Sequence, residues 1–479
     1  MSKANKKSKS KAFKPQVHVR MYCQGLGDCF LLRFETEKGT FFKVLIDCGI
    51  YKASPDAGDI MNEVDDDVVE ATEGHLDVLV STHEHWDHNS GFYQALAKFK
   101  KMKIDEIWQA WTEDPKHPLA KELRQKYEKA KAKLVGLMGA AQTSLGAKSS
   151  RALDDAYSVM GFFGVDKKGD EAGPYAAIKE LMSENNPRYF LPGHVEPLGD
   201  TGVKAFILGP PASEAILKKQ NMNKGEGYEK QQAAFFESFE SMLGAVESGL
   251  DVDAATDAMS RPFDRRREIP VEVARQSDFF QTLYGFEPEH PESFRSIDDI
   301  AYDTLGNLAL RMDSYINNTS LVIAFELPSK EVLLFPGDAQ AGNWKSWADL
   351  DAPLDFKDEK TDAHKLLANT VLYKVGHHGS HNATPRTFGL ELMTHPELRA
   401  FVPVDHAIAT AARYGEMPLN AILEALGKRT GGALVRSDDD ATQAKENFHF
   451  SKRLLSIRTS PEGKYFDRPI YCETSFDLD

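Results

Sequence analysis

Six consecutive residues, His83-Glu84-His85-Trp86-Asp87-His88, constrain this chain more than any other feature. They follow LDVLVST at 76–82, a short apolar run of the kind that forms a buried strand. In an extended segment residues two apart point the same way, so His83 and His85 can grip one metal ion together. Asp87 and His88 come from the turn after the strand and can reach a second ion. Imidazole and carboxylate suit zinc, and also manganese or iron. Four ligand-type residues in six positions, directly behind a buried strand, fit a metal centre better than a surface histidine patch.

The rest of the chain can support such a site. Its 479 residues suffice for one large domain with insertions, or for two to three ordinary domains. With 41% hydrophobic and 27% charged residues a packed core is feasible. No apolar run approaches the roughly 20 residues needed to cross a bilayer, so no membrane association is expected. The first residues are polar and basic with no apolar segment behind them, which predicts no secretory leader. Cys23, Cys29, Cys48 and Cys472 are scattered and lack a CxxC spacing, as expected of reduced residues in a cytoplasmic protein.

The formal net charge is −15, so any nucleic-acid contact needs a local basic surface. Two stretches offer one. Lys3, Lys6, Lys7, Lys9, Lys11 and Lys14 crowd the N-terminus, where a disordered solubilising tail over 1–15 is the plainer reading. Lys121, Arg124, Lys126, Lys129, Lys131 and Lys133 also read as the solvated face of a helix.

Strand character recurs at 17–22, 29–35, 41–47, 76–82, 203–209, 320–326, 331–337, 370–376 and 399–404. Helices are expected within 339–350 and near 418–428. Two blocks, about 93–185 and 212–300, are rich in charged and helix-forming residues. They read as helical insertions in one α/β core spanning 16–479, and as surfaces for protein partners.

Other segments also run a strand into an aspartate or a histidine. VLIDCG at 44–49 ends a strand in Asp47, PGD at 336–338 ends one in Asp338, and VGHHGS at 375–380 ends one in His377 and His378. With THEHWDHNSG at 82–91 these resemble, in order, the motifs of the metallo-β-lactamase superfamily. The similarity is greatest to the hydrolase domain of the competence DNA-uptake protein ComEC, through Gly25-Leu26-Gly27-Asp28, NNTSLVI at 317–323 and KVGHHGS at 374–380. It covers roughly 16–112, 186–211 and 307–428.

The resemblance implies a four-layer αββα metallo-β-lactamase fold and two divalent ions, zinc or manganese. His83 and His85 would bind the first ion, Asp87 and His88 the second. Asp338 would bridge them, since a carboxylate has two oxygens. His377 would complete the second site, with His378 as the alternative; the other of the two would serve catalysis beside Asp87. Asp47 would orient a ligand histidine by accepting its second N–H. His194 in LPGHVEP would supply the third ligand of the first ion, or else be an exposed loop histidine.

The chain departs from the pattern at Tyr414-Gly415-Glu416-Met417-Pro418, where a histidine is missing and His406 is the candidate replacement. Ser380 and His381 are candidate pocket residues. The expected chemistry is hydrolysis by a metal-activated hydroxide, of a phosphodiester and with nucleic acid as the candidate partner. A small-molecule ester, lactone or phosphodiester is the alternative substrate. A third reading is a subunit of a multi-protein defence or signalling complex.

Overall fold

The computed structural model describes residues 15–145, 151–165, 174–219, 221–223, 225–228, 269–284, 309–310, 312–412, 416–439, 447–457 and 466–478. The expected basic tail, most of 212–300, and Tyr414 and Gly415 lie outside them.

The chain opens with β1 (Gln16–Tyr22), β2 (Cys29–Glu35) and β3 (Phe41–Cys48). Then come α1 (Ala57–Thr72), β4 (His75–Val80), α2 (Trp86–Gln94), α3 (Leu96–Phe99) and β5 (Lys103–Ala110). Helices α4 (Pro118–Leu145), α5 (Arg151–Met160) and α6 (Pro174–Glu184) lead to β6 (Asn186–Phe190), β7 (Val195–Pro197) and β8 (Lys204–Gly209). Next are β9 (Val322–Glu326), β10 (Val332–Phe335), β11 (Asp355–Phe356) and β12 (Thr361–Asp362). The chain ends with β13 (Thr370–Lys374), β14 (Arg399–Val402), β15 (Leu434–Arg436), β16 (His449–Phe450), β17 (Leu454–Ile457), β18 (Phe466–Pro469) and β19 (Tyr471–Asp477).

The architecture is mixed α/β with two large sheets. One has the order β16-β19-β1-β2-β3-β4-β5-β6, the other β15-β14-β13-β10-β9-β8-β7. An apolar core lies between them, with Phe30 against Phe335 at 5.5 Å and Phe34 against Phe325 at 5.8 Å between ring centroids. Each of these rings is fully buried, which contributes about 2–3 kcal/mol of transfer free energy apiece. A second core forms on the other face of the first sheet, where Ile60, Met61, Val64 and Val68 of α1 meet Leu45, Leu79 and Ile107. The helix Ala341–Ala348 packs beside β8 and buries Trp344 and Trp347, Trp344 meeting Tyr373 of β13 edge-on.

Strand direction decides where chemistry can gather. β3, β4, β5 and β6 run parallel, and so do β10, β13, β14 and β15. Parallel strands deliver their carboxyl ends to one edge of the sheet, where open α/β sheets build their sites. All the strand-ending motifs, at Asp47, Thr82-His83, Asp338 and His377-His378, leave from such carboxyl ends.

The block 93–185 is not wholly helical: β5 lies within it and forms an inner strand of the first sheet. Its sequence, KIDEIWQA, carries charge at its exposed start and becomes apolar only where both faces are covered, so it lacks a plain strand pattern. The chain forms two compact units. One comprises Met1–Glu122, Gly173–Tyr228 and Tyr315–Asp479; the other comprises Leu123–Ala172 and Glu229–Ser314. The second unit buries Leu134, Met138, Leu153, Met160 and Phe163. Cys23, Cys29, Cys48 and Cys472 are all buried free thiols. No helix among the described residues is long and apolar enough to cross a membrane.

Candidate metal centre

The first half of the site is a tight turn between β4 and α2. His85 is extended (φ −64°, ψ 152°) and immediately precedes the helix, so Asp87 and His88 fall in its first turn. A carboxylate there faces the positive end of the helix dipole. Asn89 holds the turn: its Nδ2 donates to the carbonyls of His83 and His85 (3.1 Å to the latter), and its Oδ1 accepts from Ser81 Oγ at 2.8 Å. The loop Gly25–Asp28 packs against the helix start by its backbone, Asp28 N donating to Asp87 O at 3.0 Å. A Cβ on Gly27 would stand 2.5 Å from Gly49 O and 2.7 Å from Asp87 O, so only glycine fits.

The second half comes from β10 and β13. Gly337 takes the left-handed conformation (φ 56°) and lets the chain turn so that Asp338 N donates to Ser320 Oγ at 3.1 Å. His377 (φ 46°) and His378 (φ 53°) are both left-handed, a costly state for two consecutive non-glycine residues. The turn sends the two rings apart, and only one of them enters the centre.

That ring is His378. Asp87, His88, Asp338 and His378 form one buried group whose ligand atoms all lie within 4.8 Å of one another. His88 Nε2 is 3.1 Å from Asp338 Oδ2 and 3.7 Å from Asp87 Oδ2. His378 Nε2 is 2.9 Å from Asp87 Oδ2 and 3.8 Å from Asp338 Oδ2. The far nitrogen of each ring is already occupied. His88 Nδ1 donates to Asp47 Oδ2 at 2.8 Å and His378 Nδ1 to the carbonyl of Pro403 at 2.7 Å. Asp47, itself left-handed (φ 53°), also accepts from Thr82 N and Thr82 Oγ1. Such partners fix ring orientation and leave Nε2 for a metal.

His83 and His85 lie alongside rather than within this group. His83 Nε2 is 3.0 Å from His85 Nδ1, and the His83 ring sits 4.1 Å from that of His88. The two nitrogens can share one ion, but no third ligand is grouped with them among the described residues.

Three expectations change. His377, favoured as the late ligand, instead faces Asn317 Nδ2 and Gln340 Nε2, each at 3.4 Å, and it is His378, next in the same left-handed turn, that reaches Asp87. His194 does not complete the first site: it sits on the β6–β7 turn, 45% exposed, bound to Glu196 Oε2 at 3.0 Å and stacked on Phe190. His406 begins an exposed helix, with Nδ1 bound to the carbonyl of Met417 at 2.9 Å, and is not in the group. Ser380 is buried against Asn382 and His381 is exposed.

Two residues not singled out as site residues beforehand belong here. Lys374, 1% exposed, binds Asp338 Oδ1 at 3.1 Å and the carbonyl of Gly337 at 2.8 Å, and forms an ion pair with Asp28. A lysine ending an otherwise apolar strand, KVGHHGS after TVLY, was the available signal. Asp338 Oδ1 also accepts from His377 N at 2.9 Å, so Oδ2 is the oxygen that faces the histidines.

The electrostatics suit a cation. Burial opposes charge on Asp338, yet His88, Lys374 and His378 together hold its carboxyl well below the usual carboxylate range. Burial also opposes charge on Asp87, and His88 and His378 outweigh it. Burial pulls His88 down, but Asp338, Asp87, Asp28 and Asp47 push it well above the ordinary imidazole value. His83 is driven well down by burial, then by His88 and His85. Burial brings His377 down to about 4. Asp87 Oδ1 is buried with no hydrogen-bond partner among the described residues. Two imidazole Nε2 atoms, two ionised carboxylates and an orphaned buried oxygen make a donor set that fits a divalent ion. The chain matches no protein-family model and no curated protein.

Proposed function

We propose that this chain is a metal-dependent hydrolase with a four-layer αββα metallo-β-lactamase fold, and that it cleaves phosphodiesters as a ComEC-like hydrolase domain would. The observation that carries the reading is the convergence of Asp87, His88, Asp338 and His378 at the carboxyl ends of parallel strands in two facing sheets. Asp87, His88, Asp338 and His378 would hold one ion, and His83 and His85 would offer two nitrogens to another.

A bound divalent ion supplies Lewis-acid activation of water and stabilises charge developing on the attacked group. The residues do the rest. Asp47 and the Pro403 carbonyl hold His88 and His378 in the tautomer that presents Nε2. Asp87 Oδ1 is placed to accept a proton from an attacking water. His377 is the most exposed of the central histidines at 8% and is neutral near pH 7, so it offers a substrate oxygen a hydrogen bond rather than a proton. The exposed Lys121, Lys126, Lys129 and Lys133 of α4 are the basic surface that favours a polyanionic substrate.

Elemental analysis of purified protein, then assay on single-stranded DNA, double-stranded DNA, RNA and a short aryl phosphodiester with zinc or manganese, tests the proposal. Metal-dependent phosphodiester cleavage that chelation removes is expected. The net charge of −15 favours the second reading, a small-molecule hydrolase. Turnover of lactones or esters, with no phosphodiester cut under any metal, would establish that reading instead.

A further inference from the structure

Lys374 and Asp28 bind no ligand in the scheme above, yet both are deeply buried charges, 1% and 2% exposed. We propose that this ion pair is the positioning device of the metal centre: the Lys374 ammonium, neutralised from behind by Asp28, locks Asp338 so that Oδ2 faces the ligand cluster. The inference rests on the metal-centre reading.

An ammonium has three N–H donors, and Lys374 directs them at three acceptors: Asp338 Oδ1, the carbonyl of Gly337, and Asp28 Oδ2. None is left over for a substrate, and the group is closed to solvent. Two of the three acceptors belong to the left-handed turn that carries Asp338, so the lysine fixes both its backbone and its carboxylate. His377 N takes up the same Oδ1 at 2.9 Å. Oδ2 is thereby directed at His88 Nε2, 3.1 Å away.

Asp28 ties this frame to the other half of the site. Its backbone N–H donates to Asp87 O at 3.0 Å. Its Oδ2 stands 3.7 Å from His88 Nδ1 and its Oδ1 stands 3.9 Å from His378 Nδ1. These spacings are too long for hydrogen bonds, but the charge lies behind both imidazoles at once. Asp28 therefore reaches all four members of the cluster: Asp87 through its backbone, Asp338 through Lys374, and His88 and His378 through the charge behind their rings.

Stability alone does not account for such a pair. Burying two charges is costly, and apolar side chains of similar volume commonly serve a core as well or better. Removing only one partner strands the other and destabilises. That asymmetry separates positioning from charge balance, because removing both charges restores the balance without restoring the grip on Asp338.

The test compares wild type, Lys374→Met, Asp28→Asn and the double variant Asp28→Asn/Lys374→Met. Zinc affinity is read by competition with a chromophoric chelator, and thermal melting is followed in parallel. Loss of a residue that orients a metal ligand typically lowers affinity ten- to a hundredfold. Lys374→Met is expected to show that loss together with a lowered melting temperature. The double variant should recover the melting temperature and keep the affinity loss. Asp28→Asn, which leaves the lysine on Asp338, should lose less affinity than Lys374→Met. If the double variant recovers affinity along with stability, or if Lys374→Met takes up zinc as wild type does, the positioning role is overturned while the metal centre stands. If wild type itself takes up neither zinc nor manganese, the metal reading falls and this one with it.

Discussion

Strand β4 carries a cluster of histidine and aspartate at each end, and the two behave differently. Beyond its carboxyl end lie His83, His85, Asp87 and His88, buried to 2% exposure or less and joined by Asp338 and His378. At its amino end lie His75 and Asp77, close to Asp105 of β5. Residue types and spacing are comparable, yet every group at the amino end is already engaged. His75 Nε2 meets Asp105 Oδ2 at 2.9 Å, Lys103 Nζ meets Asp105 Oδ1 at 2.7 Å, and Asp77 Oδ2 accepts from Lys43 N at 2.7 Å. The side chains of His75 and Asp105 are 33% and 40% exposed, so water competes for them as well. At the carboxyl end the partners bind the backs of the rings and leave the fronts converging. Ligand chemistry thus depends less on which residues are present than on what holds them from behind.

The sharpest way to break this comparison is to remove Asp338, the cluster carboxylate nearest His88, 3.1 Å from its Nε2. Zinc at about a hundredfold excess over its dissociation constant stabilises a folded protein by about 2.7 kcal/mol. Asp338→Ala should abolish that thermal shift and lower the zinc stoichiometry measured by elemental analysis. A variant that still melts higher with zinc, by as much as wild type does, would move the metal centre elsewhere.

Asp87→Ala comes next. Asp87 supplies Oδ2 to His378 and keeps Oδ1 free of other bonds. Turnover of any substrate the parent cleaves should fall by at least about a hundredfold, the scale of a lost proton acceptor. The fold should survive, because His83, His85, His88 and Asp338 are held by other partners. Turnover near that of wild type would show that the reacting atoms lie away from Asp87.

The sequence announced the carboxyl-end residues because they sit within a few positions of apolar strands, and strand β4 with its histidines could be read locally. It favoured His377 over His378 because nothing local separates two adjacent histidines, and the left-handed turn that both occupy leaves no mark in composition. His194 looked like a ligand by order along the chain, but Glu196 two residues on claims it. Asp28 was seen only as part of a glycine-rich start, since its partner Lys374 is 346 positions away by the numbering. Strand β19 pairs with β1 from the far end of the chain. Its alternating pattern YCETSFD was there to be read, but nothing local shows where such a strand pairs.

Asp65 of α1 asks whether burial without convergence is enough. It is buried like the cluster at the carboxyl end of β4, but its hydrogen-bonding neighbour is the thiol of Cys48, whose Sγ is 3.2 Å from Oδ1. Burial raises its carboxyl to about 7, only partly offset by Cys48 and Lys98. An acid raised on folding stabilises most below its unfolded pKa. As pH climbs from about 4 to about 7 the unfolded chain loses the proton first, and that contribution drains away. Asp65→Asn cannot ionise, so the difference in unfolding free energy between variant and wild type should shift in favour of the variant across that window, by about 1 kcal/mol or more. Zinc affinity should not change. A parallel pH dependence for the two proteins would mean that Asp65 titrates normally.

The smallest effect is expected at the amino end. Asp105→Ala removes an exposed pair of contacts, to Lys103 and His75, of the kind worth less than about 1 kcal/mol and weakened further by salt. Slight burial works against charge on Asp105, and its bonds to Lys103 and His75 prevail, holding the carboxyl below its usual value. Whatever it contributes is therefore present above the ordinary carboxylate range and lost as pH falls through the depressed folded value. Urea unfolding at neutral pH should show a small loss at low salt that shrinks at 0.5 M sodium chloride (roughly a 4 Å screening length). Zinc stoichiometry should match wild type, because each group here already has a partner and none is sealed from water. A drop in stoichiometry on Asp105→Ala would be the more instructive result: it would mean that an exposed, fully paired cluster can still be opened by a metal, and that support from behind is not what separates the two ends of β4.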